Sequence, residues 1–237
     1  MFFWLEPQRA ILSDINESLI EMYKQVAHSA SNVVGVLSKL PATQDAYYHY
    51  RAQRPTCPVE RAARFIYLNR NCYGGLYREN QKGEFNVPYG GRGRNHQNLC
   101  TNGLMDKAAR LLGQPGVSIR SCDFQEVITQ AKAGDVVYCD PTYRQVTRDS
   151  FDRYGSRVFD WSDQKRLAQT VLAAHERGAL VLVSNACSDE VRELYPNAVI
   201  VDLERPKGIG RRANPQGQRE YLFVLDPLRI GDDWLSL

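Results

Sequence analysis

The chain has 237 residues, enough to bury one substantial core with a small subdomain folded onto it. Its 43% hydrophobic and 24% charged content belongs to a globular protein without any apolar run long enough to span a bilayer, which excludes a membrane-embedded class. The net charge is +3, yet seven of the 30 basic residues are Lys and the rest Arg, a bias that fits phosphate and guanine contacts and equally fits a high-GC genome.

The start, Met-Phe-Phe-Trp-Leu-Glu-Pro, has no basic residue ahead of its short apolar run, so it does not read as a signal peptide, and a cytoplasmic protein is expected. Six cysteines show no Cys-x-x-Cys pair and no adjacent His, which argues against a zinc site, so no metal is expected and the thiols read as reduced and mostly buried. Residues 8 to 15 read as a strand, followed by a helix opened by Asn16 and Glu17 and running to about Val36. Asp14 sits at the strand's carboxyl end. An acid there grips ribose hydroxyls in nucleotide-binding α/β folds, although a helix-capping Asp has the same local signature.

From Val33 to about Arg64 the pattern is helical and polar, broken at Pro41, Pro55 and Pro58, and reads as an inserted subdomain. The stretch from Phe65 to Tyr89 follows, with Gly74-Gly75 and Lys82-Gly83 predicting tight turns. Its aromatics interleave with Arg70, Arg78, Lys82, Arg92 and Arg94, giving a hairpin suited to a DNA groove or to a plain amphipathic surface. A helix is expected over 103–113, a strand over 117–122 ending in Asp123-Phe124, and a short helix over 126–132.

Asp135 to Tyr143, Asp-Val-Val-Tyr-Cys-Asp-Pro-Thr-Tyr, reads as a buried central strand ending in an acid, a proline and an aromatic residue. In an open α/β sheet that end faces the ligand crevice. Residues 144–160 read as a loop, 162–177 as an amphipathic helix capped by Ser162 and stopped by Gly178, and 179–183 as a strand buried on both faces. A short helix at 190–194 and strands at 198–203 and 221–225 complete the alternation, with Lys207 to Gly217 a basic glycine-rich loop. This order predicts a mostly parallel, Rossmann-like α/β sheet with an antiparallel edge strand.

Together these stretches resemble the Dam-like family of adenine-specific DNA methyltransferases, from about Ala10 to Leu225. The resemblance is carried by Ser-Asp-Ile-Asn at 13–16, Leu-Asn-Arg through Gly-Leu-Tyr-Arg at 68–78, Gly-Glu-Phe-Asn-Val-Pro at 83–88 and Val-Tyr-Cys-Asp-Pro-Thr-Tyr at 137–143. Weaker matches follow at Phe151 to Tyr154, Asp163-Gln164, Ser184-Asn185 and Arg192 to Tyr195. The resemblance implies a catalytic domain over 1–32 and 115–237 and a DNA-recognition insert over 33–114. It implies S-adenosylmethionine as cofactor, with Asp14 on its ribose, Asp123 and Phe124 near its adenine and Asp140 near its methionine end. Asp140, Pro141, Thr142 and Tyr143 would hold the target base, and Arg70, Tyr73, Leu76 and Arg78 would contact double-stranded DNA, Arg78 as guanine reader and Tyr73 as a wedge. A short palindrome such as GATC is the first duplex to test.

Thr142 stands where the family usually has a second proline or another small residue, and Gly74 replaces an Asn of close relatives. The family's Trp-Ala-Gly-Gly-Lys segment and Phe-x-Gly-x-Gly loop, carried on a central first strand, have no counterpart ahead of Ala10. That departure raises three expectations: a start further upstream, a partner chain that supplies the segment, or an inactive DNA-binding remnant. Methylation of glutamine or RNA by a related acid-Pro-x-Tyr site is a further alternative, weakened by the Arg-bearing hairpin.

Overall fold

The computed structural model describes residues 1–80, 82–91, 93, 95–142, 159–186, 188–203 and 220–228. The chain divides into two compact units that meet in sequence between Asp123 and Phe124.

The first unit opens with a short helix, α1 (Phe2–Leu5), and strand β1 (Ala10–Asp14). Helix α2 (Glu17–Leu37) starts where the side chain of Asn16 accepts a hydrogen bond from the Leu19 N–H (3.0 Å), which satisfies one of the orphan donors of the first turn. Its stripe of Met22, Val26, Val33 and Leu37 is buried against α4 (Pro58–Asn71), with α3 (Gln44–Ala52) alongside. After α5 (Asn98–Thr101), helix α6 (Leu104–Leu112) returns against α2 and leads into β2 (Val117–Ser121). β2 pairs in parallel with β1, from Ala10 opposite Val117 to Asp14 opposite Ser121. The register places the carboxyl ends of both strands side by side.

Residues 72–90 form a hairpin, as the glycine turns predict, but one made of isolated bridges, Cys72 with Tyr89 and Glu79 with Phe85. The Asn80 carbonyl accepts from the Gly83 N–H (3.0 Å) to close its tip, and Gly83 adopts φ +72°, open to glycine without strain. Phe65 to Asn71, expected on the hairpin's flank, instead complete α4. Ala62, Ala63, Ile66 and Tyr67 are buried at helical spacing, so Arg70 stands exposed near the end of a helix and not on the hairpin.

Buried tyrosines bind this hairpin to the helices. The hydroxyl of Tyr47 donates to the Val87 carbonyl (2.8 Å), that of Tyr89 to the Ala42 carbonyl (2.9 Å), and Arg51 Nη1 also reaches Val87 (3.1 Å). Burial raises the Tyr47 phenol well above its ordinary value, so its hydroxyl stays a protonated donor.

In the second unit, α7 (Phe124–Ile128) precedes β3 (Val136–Cys139), and α8 (Trp161–Glu176) crosses to β4 (Leu180–Ala186). A short helix, α9 (Asp189–Arg192), and strands β5 (Val199–Leu203) and β6 (Glu220–Leu225) follow. The sheet order is β3-β4-β6-β5, with β3 parallel to β4 and β6 antiparallel to both β4 and β5. Leu167 and Val171 of α8 pack on Val181 and Val183 of β4 and Phe223 of β6. Gly178 stops α8 at φ +92°, where a Cβ would meet that of Ala133 at 2.9 Å.

Three expectations change here. β3 is not a buried central strand: among the described residues it pairs with β4 alone, and Val136 and Tyr138 are 57% and 44% exposed. The antiparallel strand β6 is not an edge but lies between β4 and β5, its side chains at Glu220, Phe223 and Leu225 buried. The cap of α8 is Asp160 rather than Ser162: its side chain accepts from the N–H groups of Ser162 and Asp163, while the Asp163 side chain accepts from the Asp160 N–H. Among the described residues, no helix is long and apolar enough to cross a membrane. Of the described cysteines, Cys72 is buried and Cys57 exposed, the others lying between.

Candidate active site and DNA-contacting surface

In the first unit, Asp14 stands at the carboxyl end of β1, exposed, with Oδ1 accepting from the Asn16 N–H (2.7 Å). Asp14 is therefore not the helix cap, a task that falls to Asn16 two residues on. The Cys122 N–H donates to the Asp14 carbonyl (3.2 Å), which brings Asp123, one residue further along, to the same sheet end. Two acids at neighbouring carboxyl ends form an acceptor set suited to hydroxyl donors such as a ribose diol.

The hairpin rises from this end of the unit. Tyr77 interacts with the Asn16 side chain and packs between Phe65 (5.3 Å) and Phe85 (5.6 Å). Beyond it the chain presents Tyr73 and Leu76, 50% and 49% exposed, around the turn in which Gly74 adopts φ +66°. The Asn86 side chain accepts from Arg78 Nε (2.8 Å), and the Asn86 N–H donates to the Arg78 carbonyl (3.0 Å), so the guanidinium is held by the opposite arm of the hairpin. Tyr73, Leu76 and Arg78 thus share one segment, and Arg70 stands apart from it on α4. Arg92 and Arg94 lie outside the described residues.

In the second unit, Asp140 follows the last residue of β3. The pairing of Cys139 with Val183 carries the next residue of each strand opposite the other, and Ser184 Oγ donates to Asp140 Oδ1 at 2.6 Å. Gln164 of α8 donates to the Thr142 carbonyl (2.9 Å), and its own Oε1 accepts from Asn185 Nδ2 (3.0 Å). Ser184, Gln164 and Asn185 are all at most 2% exposed. Cys139, just before the acid, has its thiol pushed up to about 12 by burial, which leaves it neutral and unreactive.

Phe124 lies under the Arg166 guanidinium, 4.1 Å from the ring centroid, with Phe159 at 6.0 Å. Arg166 is in turn held by Asp163 (2.8 Å). The motif matches had pointed at Gln164, Ser184 and Asn185 without a role, and Arg166 carried no signal at all. Tyr143, Phe151 to Tyr154 and the 207–217 loop lie outside the described residues. Among the described residues, no cluster of His, Cys, Asp or Glu could hold a metal ion.

The model of the D12 class N6 adenine-specific DNA methyltransferases matches residues 1–209. The chain belongs to this family. It is 31% identical over 233 residues to Type II methyltransferase M1.LlaDCHI of Lactococcus lactis, covering 94% of this chain and 81% of that one. It is 32% identical over 224 residues to the DNA adenine methylase of Escherichia coli, covering 92% and 79%. Over 196 residues it is 35% identical to the DNA N-6-adenine-methyltransferase of Escherichia phage P1, covering 79% of this chain and 25% of that longer protein. These are names of methyltransferases and methylases, which gives no support to an inactive remnant.

Proposed function

We propose that this D12 class methyltransferase moves a methyl group from S-adenosylmethionine to the exocyclic amino nitrogen of adenine in duplex DNA, with Asp140, Pro141, Thr142 and Tyr143 holding the flipped base. The observation that carries the assignment of residues is the fixed carboxylate of Asp140 at the open end of β3, two residues from a backbone carbonyl that α8 also holds. Adenine's amino lone pair is delocalised into the ring, and within a duplex the group is out of reach. Extruding the base costs a few kcal/mol of unstacking. Stacking on Tyr143 offsets part of that cost.

The Asp140 carboxylate and the Pro141 carbonyl accept the two amino hydrogens, which turns the lone pair out of the ring plane and stabilises positive charge as the new C–N bond forms. Bound S-adenosylmethionine would supply the methyl group from its sulfonium, the S–C bond breaking to leave a neutral thioether as the C–N bond forms. After transfer, the nitrogen carries an extra proton, which Asp140 is placed to accept before solvent removes it. Alignment of amine and methyl supplies much of the rest.

Asp14 and Asp123 fit the ribose and adenine ends of the cofactor by their chemistry, as exposed or half-exposed acids at adjoining strand ends. Phe124, whose ring lies under Arg166, supplies an apolar edge for the cofactor's base. Residues 33–114 form the DNA-recognition part, in which Tyr73 wedges the stack, Arg78 reads a guanine, and Leu76 and Arg70 make further contacts to the duplex. The test is transfer of tritium from labelled S-adenosylmethionine to a GATC duplex. Asp140→Ala abolishes it, and persistence of the product in that variant overturns the assignment.

A further inference from the structure

We infer that Ser184 is a positioning residue for methyl transfer: its hydroxyl fixes the orientation of the Asp140 carboxylate from within the sheet. The inference rests on the proposed role of Asp140 and extends it to residues that touch no substrate.

The geometry begins with the register. β4 is an interior strand, paired on one side with β3 and on the other with β6, where Ser184 stands opposite Leu222. Ser184 is therefore held on a rigid element while β3 ends beside it. Its hydroxyl, 2% exposed, makes a 2.6 Å bond to Asp140 Oδ1, the length of a charge-assisted O–H···O contact. A carboxylate offers about four acceptor sites, so one hydroxyl orients the group without exhausting it.

The next residue of β4 reinforces the arrangement. Asn185, fully buried, donates to Gln164 Oε1 (3.0 Å) and accepts from the Ala186 N–H (2.8 Å), and Gln164 Nε2 grips the Thr142 carbonyl (2.9 Å). Ser184 and Asn185 thus hold the side chain of Asp140 and, through α8, the backbone two residues on. Buried polar side chains beside a core built mainly from Val, Ala and Leu cost stability unless each is satisfied. Their hydrogen bonds converge on the Asp-Pro-Thr segment, where a displacement of about half an ångström spoils a reacting geometry.

The test compares Ser184→Ala, Ser184→Cys and Ser184→Thr in the whole chain. Ser184→Ala is expected to lower kcat about tenfold, with KM for DNA and for S-adenosylmethionine within about twofold, because the loss is made at the reacting geometry and not in binding. Ser184→Thr restores most of kcat. Ser184→Cys, a weak donor of similar size, falls between and keeps the question open to measurement if the alanine variant does not fold.

Crystal structures of the alanine or cysteine variant provide a readout independent of activity: the Asp140 side chain leaves the rotamer that points Oδ1 at residue 184. An unchanged kcat, an Asp140 that keeps its orientation without the hydroxyl, or losses of kcat and thermal stability that threonine fails to restore each overturn the inference. If the unaltered chain transfers no methyl group, the role of Asp140 fails, while the crystallographic arm still decides whether Ser184 orients it.

Discussion

The Val87 carbonyl is a point at which the hairpin is fastened to its helices, and it has two donors. Tyr47 Oη lies at 2.8 Å and Arg51 Nη1 at 3.1 Å, around a residue 2% exposed. Tyr47→Phe keeps the ring and its neighbours Tyr67 and Tyr89, and removes one donor. The carbonyl is still bonded to Arg51, so the expected cost is about 1 kcal/mol. For a chain of this size that lowers Tm by roughly 2–4 °C. Arg51→Met alone leaves the Tyr47 bond in place and costs a similar amount, part of it the contact between Arg51 and the Tyr48 ring.

The double variant leaves a buried carbonyl without a donor, which adds about 1–3 kcal/mol beyond the sum of the two. Urea unfolding of the four proteins measures this coupling, and the DNA KM of the double variant rises about tenfold for every 1.4 kcal/mol of the lost anchoring that is felt in binding. Additive single effects would show that the hairpin is not fastened at Val87 and would refute the reasoning.

Asp160→Ala removes the side-chain cap of α8 and leaves the backbone N–H of residue 160 to Asp163, and a loss of about 1 kcal/mol in urea unfolding is expected. Asn86→Ala frees Arg78 Nε, so discrimination against a changed guanine in the duplex relaxes while S-adenosylmethionine affinity measured by calorimetry is unchanged. His96 is fully buried, with Nε2 at 3.1 Å from the Leu37 carbonyl and Nδ1 at 2.9 Å from Asn71 Nδ2, and burial lowers its pKa. Below about pH 6.5 the unfolded chain takes up a proton that the folded chain refuses, so stability falls as pH drops from 7 to 5, and His96→Gln flattens that slope. Cys139 stays unmodified by iodoacetamide at pH 8 in the native protein, while exposed Cys57 reacts, as mass spectrometry of the digest will show.

What was legible in the sequence was local. Asn16 opening α2, Gly178 closing α8, the acids at the ends of β1 and β2, and the Asp-Pro-Thr segment after β3 depend on residues within a few positions of one another. The family resemblance likewise rests on short contiguous motifs. Asp160 was missed because Ser162 has the same capping chemistry and lies two residues later.

The exposure of Val136 and Tyr138 depends on which strands flank β3, and alternation within four residues does not report that. The place of β6 depends on a register with β4 and β5 set by pairing at long range. Ser184 and Asp140 are 44 residues apart, and Tyr47 and Val87 are 40 apart. Each such hydrogen bond joins residue types common in loops and cores alike, so no spacing announced it. Asp14 and Asp123 were readable as acids at strand ends, and β1 and β2 bring them to one sheet end. Their link to the hairpin through Tyr77 and Asn16 was not.

The most direct test of the central claim is the nucleoside product of the reaction. The chain is incubated with methyl-labelled S-adenosylmethionine and duplex DNA, the DNA is digested, and the labelled nucleoside is identified by mass spectrometry. Label in N6-methyldeoxyadenosine, lost in Asp140→Ala at unchanged fold, is the predicted result. Label in a cytosine product, or N6-methyldeoxyadenosine formed equally well by Asp140→Ala, would contradict it.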